Sequence, residues 1–424
     1  MAMSSTDPGE IRILIENGEY WLRNRGDTAM MGITVDRLRE HWPAARIGML
    51  TDQPRILRAL LPAAEPICLG AGGQWGGGTT LDRILAPAAV QWRAATDGPK
   101  TALRGIRNSL RSDGEAGPPA APPLPAAVAD ATLVLAQGGG YMTDVDQYQA
   151  HRTLDLLEYA QSQGVPTAMI GQGFGPIEDA RLLERAAQVL PRVGFIGLRE
   201  ARRGPALLAG LGVAPERIMV TGDDAVEPAY LLRRPAIGHD LGICLRVAYY
   251  AQVGAAARGV LGQVVRTRAV AHNAALAPLV ISEYEGEDRQ CTLAVLAGAA
   301  HTRPIIGRGG TAAAVIGQVA GCRVVVTSAY HLAVFALAQG IPAIGLTVSR
   351  YYDDKFHGLA EMFGSGLRVV NLDADGLEHT LGNAIDELWE AAPALRDPLR
   401  RRAVEQIEAA RAGMDRVYAL AGES

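Results

Sequence analysis

A rhythm in this chain constrains its fold more than anything else. Short, continuously apolar runs recur: "IRILIEN" (11–17), "RIGML" (46–50), "ATLVLAQ" (131–137), "PTAMIGQ" (166–172), "GFIGLR" (194–199), "RIMVTG" (217–222), "LGICLRV" (241–247), "LAPLVISEY" (276–284), "TRPIIGR" (302–308), "RVVVTS" (323–328) and "IPAIGLTV" (341–348). Strands that lack an alternating polar face are buried on both sides, and the helices between them imply parallel pairing. Helices are expected at 28–41, 147–163, 177–190, 204–211 and 397–420. In the last of these, Asp397 reads as the N-cap and Pro398 as the first helical residue. A chain of 424 residues is long for one domain. The expected fold is therefore α/β: two doubly wound, Rossmann-like domains at 1–232 and 233–424, facing a central cleft. The segment 228–240 forms the hinge, and the last helix packs back on the first domain. Residues 70–130, which begin with "GAGGQWGGGTT" and end in a Pro/Ala/Gly-rich stretch, break the rhythm and read as an insertion. Within it, 81–111 is basic, as a solvated helix face or as a contact for a polyanionic acceptor or lipid headgroups.

Composition excludes several classes. A net charge of −4 and 5% aromatic content argue against nucleic-acid binding. No apolar run approaches the roughly 18–20 residues of a spanning helix, and the opening "MAMSSTDPGE" is not a signal peptide. The expected location is the cytoplasm, free or at the inner face of the membrane. Four cysteines lie far apart with no CxxC, so neither disulfides nor a metal site is expected. No GxGxxG follows the first strand and no GxxxxGK[ST] occurs, which argues against a nicotinamide dehydrogenase or a P-loop enzyme.

Ligands of open α/β sheets bind beyond the strand C-termini, so the residues placed there are the site candidates. After the first strand come Asn24, Gly26 and Asp27; after the strand at 131–137 come Gly138, Gly139 and Gly140, then Asp144. Gly171, Gln172 and Gly173 follow the next, and then Arg199, Asp223 and Arg246 each end a strand. Glycines at such places let a ligand reach backbone amides, although a plain tight turn uses them too. His331, behind Ser328 and Tyr330, stands at a strand C-terminus and a helix N-terminus together. The helix dipole there disfavours an imidazolium, and a bound anion reverses that preference, which suits a proton donor. Lys355, with Tyr351 and Tyr352 before it, stands beyond the last of these strands.

Taken in order, these residues resemble the polysaccharide pyruvyltransferase family. The resemblance rests on Asn24-Arg25-Gly26-Asp27, on Gly138 to Gly140 with Asp144, and on Gly171 to Pro176. It continues through Arg199-Glu200, Asp223 in "VTGDDA", His331 to Pro342, and Tyr352 to Lys355. Many members carry an arginine two residues before the histidine; here that residue is Ala329. The resemblance implies a fold similar to the GT-B glycosyltransferases and transfer of a pyruvyl group from phosphoenolpyruvate, a co-substrate, onto hydroxyls of a sugar or glycan, lipid-linked or free, to form a ketal. No cofactor is implied. His331 would be the acid and Asp144 or Asp27 the base. Arg199, Arg246 and Lys355, with Ser328 and Tyr330, would clamp the donor's anions. Asn24, Gly26, the glycines at 138–140, Gly171, Gln172, Gly173, Asp223 and Tyr352 would hold substrate. A glycosyltransferase that uses a nucleotide sugar, and a non-catalytic binding member of the family, are the alternatives.

Overall fold

The structure is a computed structural model, and it describes residues 10–69, 73, 75, 124–247, 252–284 and 288–422. The insertion expected at 70–130, with its basic stretch, lies for the most part outside these.

Two parallel sheets form, as the apolar runs require. The first holds β1 (Arg12–Glu16), β2 (Arg46–Leu50), β3 (Glu65–Ile67), β4 (Leu133–Ala136), β5 (Gly139–Met142), β6 (Thr167–Phe174), β7 (Phe195–Leu198) and β8 (Ile218–Val220). Its order is β3-β2-β1-β4-β6-β7-β8, with β5 pairing β6. The second, in the order β10-β9-β11-β12-β13, holds β9 (Asp240–Cys244), β10 (Leu276–Pro278), β11 (Cys322–Thr327), β12 (Ala343–Thr347) and β13 (Leu367–Asn371). Every residue of β4, β6, β7, β9 and β12 is buried, because helices cover both faces of each sheet.

On the first sheet lie α1 (Arg25–His41), α2 (Pro54–Leu60), α3 (Gln147–Ser162), α4 (Ala180–Val189) and α5 (Gly204–Gly210). Helix α6 (Val226–Leu231) leads to the second sheet, with α7 (Ala255–Ala271), α8 (Asp288–Val295), α9 (Ala312–Val319), α10 (Tyr330–Ala338) and α11 (Arg350–Phe363). Polar side chains fix several starts. Asn24 caps α1 three residues earlier than the sequence suggested, Asp146 caps α3, Asp179 caps α4 and Thr311 caps α9, each accepting from a backbone N–H of the first turn. Gly364, at φ 70°, ends α11 in the left-handed conformation.

Three expectations change. "TRPIIGR" makes no strand, only an isolated bridge from Thr302 to Leu276. The glycines at 139–140 and 171–173 lie inside β5 and β6 and not in open loops, because the two strands pair directly. Asp397 does not start a helix: the last helix, α12, runs from Leu377 to Gly422 with Pro393 and Pro398 inside it. An internal proline removes one backbone hydrogen bond and crowds the preceding turn. Packing on both sides outweighs that local loss. Leu381, Ile385, Leu388 and Trp389 join the core of the second sheet, whereas Met414, Val417 and Ala421 join the core of the first.

The half of α12 that lies against the first sheet is also pinned by charge. Buried Arg37 on α1 binds Asp224 (Nη1 to Oδ1, 2.5 Å) and Glu227 on α6 (Nη2 to Oε2, 2.7 Å). Arg411 on α12 binds the other oxygen of Glu227 at 2.6 Å. Truncating one partner of a buried pair strands the other charge. Arg37→Ala, which takes the shared cation from the buried carboxylates of Asp224 and Glu227, is therefore expected to cost about 3–5 kcal/mol in urea unfolding. Glu65→Ala, which breaks the half-exposed Arg46 pair, should cost below about 1 kcal/mol. Equal costs would dissociate the Arg37 network from the stability of the fold.

Candidate active site

The C-terminal ends of the two sheets face each other, and His331 stands between them. It is the second residue of α10, a helix buried along its whole length between β11, α6 and α12. Its ring lies against the first turn of α1: a Cβ on Gly26 would come 2.1 Å from Nδ1. Only glycine fits there, so Gly26 acts through space and not through its amide. Asn24, one step earlier, caps α1 and bridges to Ser282. Nε2 of His331 has no hydrogen-bond partner among the described residues and lies 4.0 Å from Oδ2 of Asp223. Burial holds the imidazole's pKa well below its usual value, and Arg199, Arg246 and Lys355 push it the same way. Burial and neighbouring cations thus produce the direction that the helix position alone suggested.

Arg199, at the end of β7, is buried and lies over the ring of Tyr330 at 4.4 Å. Its Nε is unpartnered, and Nη1 is 3.9 Å from Oδ2 of Asp223. The Tyr330 hydroxyl is also unpartnered. Lys355 reaches Arg199 from the opposite sheet. It is on α11, not in a turn beyond the strand, and its ammonium hydrogen-bonds the Tyr351 hydroxyl. A Cβ on Gly140 would stand 2.5 Å from Lys355 Nζ and 3.0 Å from Arg199 Nη2, and one on Gly173 would stand 2.6 Å from Arg199 Nε. The glycines make room for two converging cations. Burial, then Arg199 and Arg246, drive the Lys355 pKa well below the usual lysine value. Lys355 and His331, which both resist charging, stand beside the buried Arg199 guanidinium, and an anion among them would favour the charged forms of the first two.

Asp27 is half-buried. Burial, together with Glu19 and Asp223, pushes its pKa up to about 8, against the pull of Arg246 and Lys355. Burial raises Asp223 to about 6, opposed chiefly by Arg199.

Other sequence candidates take different places. Asp144 accepts from the backbone N–H groups of Glu178 (2.6 Å) and Asp179 (3.2 Å), so it braces a loop. Arg246 is held by both oxygens of Asp288 (2.7 and 3.2 Å), and Ser328 Oγ accepts from the Arg246 backbone at 2.6 Å. Both residues tie β9 to β11, and the positive charge of Arg246 is matched on the spot. Tyr352 turns into the core against Phe356; the tyrosine at the cleft is Tyr351, whose hydroxyl donates to Gly140 O at 2.8 Å. Gly138 has Gly171 O where its Cβ would be, at 2.5 Å, Gly139 carries the Tyr141 ring, and Gly171 takes φ 56°. Gln172 donates to Gln137 O, Ala136 O and the Tyr141 hydroxyl, leaving its own buried oxygen unpartnered. Ala329 is fully buried in the core around α10, and a cation near Tyr330 is Arg199.

Sequence reasoning missed the struts between the two halves. Arg25 donates across to Val280 O, Gly307 O and Gly310 O and pairs with Glu283 at 2.8 Å. The Tyr284 hydroxyl donates to Glu19, and Arg203 pairs with Asp354 at 2.6 Å. An arginine inside Asn24–Asp27 was the available signal for the first; the others depend on partners remote in sequence.

The profile of the polysaccharide pyruvyl transferase family matches residues 24–350. A search of curated proteins finds no sequence match. In fold the chain is similar to the UDP-GlcNAc 2-epimerase from Neisseria meningitidis bound to UDP-GlcNAc. The TM-score is 0.54 at 12% identity, over 96% of this chain and 100% of that one. It is likewise similar to a UDP-N-acetylglucosamine 2-epimerase (TM-score 0.57, 13% identity, 98% and 97% covered) and to the glycotransferase of kitacinnamycin (0.52, 11%, 98% and 100%). The fold is thus GT-B-like. By the extent of the profile match, the chain belongs to the polysaccharide pyruvyl transferase family and is a transferase.

Asp27 yields a test by pH. Its folded pKa of about 8 lies above the unfolded value near 3.9, so the folded state holds a proton that the unfolded state has released. That contribution to stability is complete below about pH 4 and is lost as pH rises through about 8. Asp27→Asn removes the dependence, so the variant's Tm relative to the native chain should climb from pH 5 to pH 8 and then level off. Parallel Tm curves would show that Asp27 titrates normally.

Proposed function

We propose that this member of the polysaccharide pyruvyl transferase family moves the pyruvyl group of phosphoenolpyruvate onto a sugar or glycan acceptor, forming a ketal. The observation that carries the reading is the meeting of Arg199 and Lys355 over Gly140, beside a buried His331 with a free Nε2. Phosphoenolpyruvate carries a phosphate and a carboxylate, and the two cations, one from each sheet, suit that pair of anions. Arg246 contributes field rather than contact, since Asp288 already holds its guanidinium.

The chemistry follows from charge. In the empty cleft His331 is neutral. A bound dianion offsets the repulsion from Arg199, Arg246 and Lys355 and favours the imidazolium. The protonated ring then delivers its proton to the donor's methylene carbon, and the positive charge that develops at C2 is quenched by a sugar hydroxyl. Tyr330, whose ring lies against Arg199, has an unsatisfied hydroxyl. The acceptor is a polysaccharide or a building block of one. Among the described residues no helix is long and apolar enough to cross a membrane, so a lipid-linked acceptor would be met at the membrane surface.

Thermal shift tests the donor. Phosphoenolpyruvate at about 100 times its dissociation constant adds about 2.7 kcal/mol and raises Tm by a few degrees. Lys355→Met keeps the length of the side chain and removes the charge, so most of the shift should vanish. Stabilisation by UDP-, TDP- or GDP-sugars with no response to phosphoenolpyruvate would replace this reading with a glycosyltransferase.

A further inference from the structure

The reaction proposed above needs more than an acid. A ketal takes two oxygens from the acceptor, so two hydroxyl protons must leave it, while the donor gains one at carbon and the departing phosphate gains the other. The sequence offered Asp144 or Asp27 as the base. Asp144 is consumed by the Glu178 and Asp179 amides. Asp27, with its pKa near 8, holds its own proton at neutral pH.

Asp223 differs from both. Its Oδ1 accepts from the Ala225 N–H at 2.9 Å, which aims the carboxylate, whereas Oδ2 is buried and has no hydrogen-bond partner among the described residues. That oxygen lies 4.0 Å from His331 Nε2 and 3.9 Å from Arg199 Nη1. Both separations exceed a hydrogen bond, so the three groups stand next to one another without bonding. A buried carboxylate oxygen left open beside an open imidazole nitrogen lacks a ligand that carries hydroxyls. The charged and titratable groups that act on these three are Arg246 from the end of β9, Lys355 and Tyr351 from α11, Tyr330 from α10, Asp27 from α1, Asp224 beside Asp223 and Glu200 beside Arg199.

We infer that Asp223 is the base for the acceptor, and that Asp223 and His331 exchange a pair of protons around a sugar diol so that each turnover restores both. This inference rests on the pyruvyl reading. In the first half, His331 Nε2–H gives its proton to C3 of phosphoenolpyruvate. The first hydroxyl loses its proton to Asp223 Oδ2, and its oxygen bonds to C2. The intermediate carries phosphate, methyl, carboxylate and sugar oxygen on one carbon. In the second half, the C2–O bond to phosphate breaks, phosphate leaves with the electron pair, and Asp223 supplies its proton. The second hydroxyl bonds to C2 and loses its proton to the now neutral His331. Imidazolium and carboxylate are regenerated, and one hydroxyl proton has reached the methyl group and the other the phosphate. The acceptor class that fits is a pyranoside with two free hydroxyls close enough to span one carbon.

Asp223→Asn tests the step. Asparagine keeps the acceptor for the Ala225 N–H, so the loop is retained, and a thermal melt checks this. Phosphate release from phosphoenolpyruvate is followed with methyl glycosides of glucose, galactose, mannose and their 2-acetamido counterparts, each with a free 4,6-diol. The native enzyme should release phosphate with at least one, with kcat/KM falling below about pH 6 as Asp223 protonates. The variant should keep the phosphoenolpyruvate thermal shift yet lose about 10²–10⁴-fold in kcat, together with the acid limb, and Asp223→Glu should recover part of the rate. A variant within about threefold of native kcat overturns the assignment of the base while leaving the donor reading intact. A native enzyme that binds phosphoenolpyruvate but turns over none of these diols overturns the proton cycle. A native enzyme without any phosphoenolpyruvate shift overturns the donor reading and the cycle with it.

Discussion

Two buried cations, Arg199 from the first sheet and Lys355 from the second, meet above a glycine backbone, and among the described residues the one carboxylate within 4.0 Å of either is Asp223, 3.9 Å from Arg199. Burying charge without close pairing is expensive. The protein meets that cost locally, with the Tyr330 ring under the guanidinium and the Tyr351 hydroxyl on the ammonium. Neither contact neutralises charge, so the site is left electrostatically unsatisfied in the direction that an anion corrects. The contrast with Arg246 is instructive. It is a strand-end arginine in the same cleft, yet Asp288 holds it bidentately and the Ile281 and Ser282 amides hold Asp288 in turn. That arrangement is a brace.

Because the cations come from different sheets, the site exists only while the halves are held in register. Helix α12 provides much of that hold. It leaves the second core at Trp389, passes two prolines and enters the first core at Met414. Arg25 adds a second strut through three carbonyls of the 280–310 region.

Within the cleft the same burial acts differently on different groups. It lowers the proton affinity of His331 and Lys355 and raises that of Asp27 and Asp223, with Arg199 restraining the last. Two carboxylates separated in proton affinity by their surroundings can take different parts in acid–base chemistry. The fold thus prepares proton donors and acceptors before any substrate arrives.

The sequence by itself determined the architecture. Unalternating apolar strands between helices leave no stable choice but covered parallel sheets, and the ordered motifs from Asn24 to Lys355 carried the family. His331, Arg199 and Lys355 were legible because strand ends are local features. Tertiary structure decided what each did. Tyr351 replaces Tyr352 at the cleft because the register of α11 turns one ring outward and the other inward. Asp144 is held by the Glu178 and Asp179 amides and Arg246 by Asp288, partners that no local pattern reveals. Asp223 gains importance because one of its oxygens is left open. The glycines serve as spaces, not loops, since β5 pairs with β6. Pro398 reads as a helix start by local rules, and packing against two cores overrides it. Local propensity is written in neighbouring residues, whereas the partners of a buried charge are set by contacts between segments hundreds of residues apart.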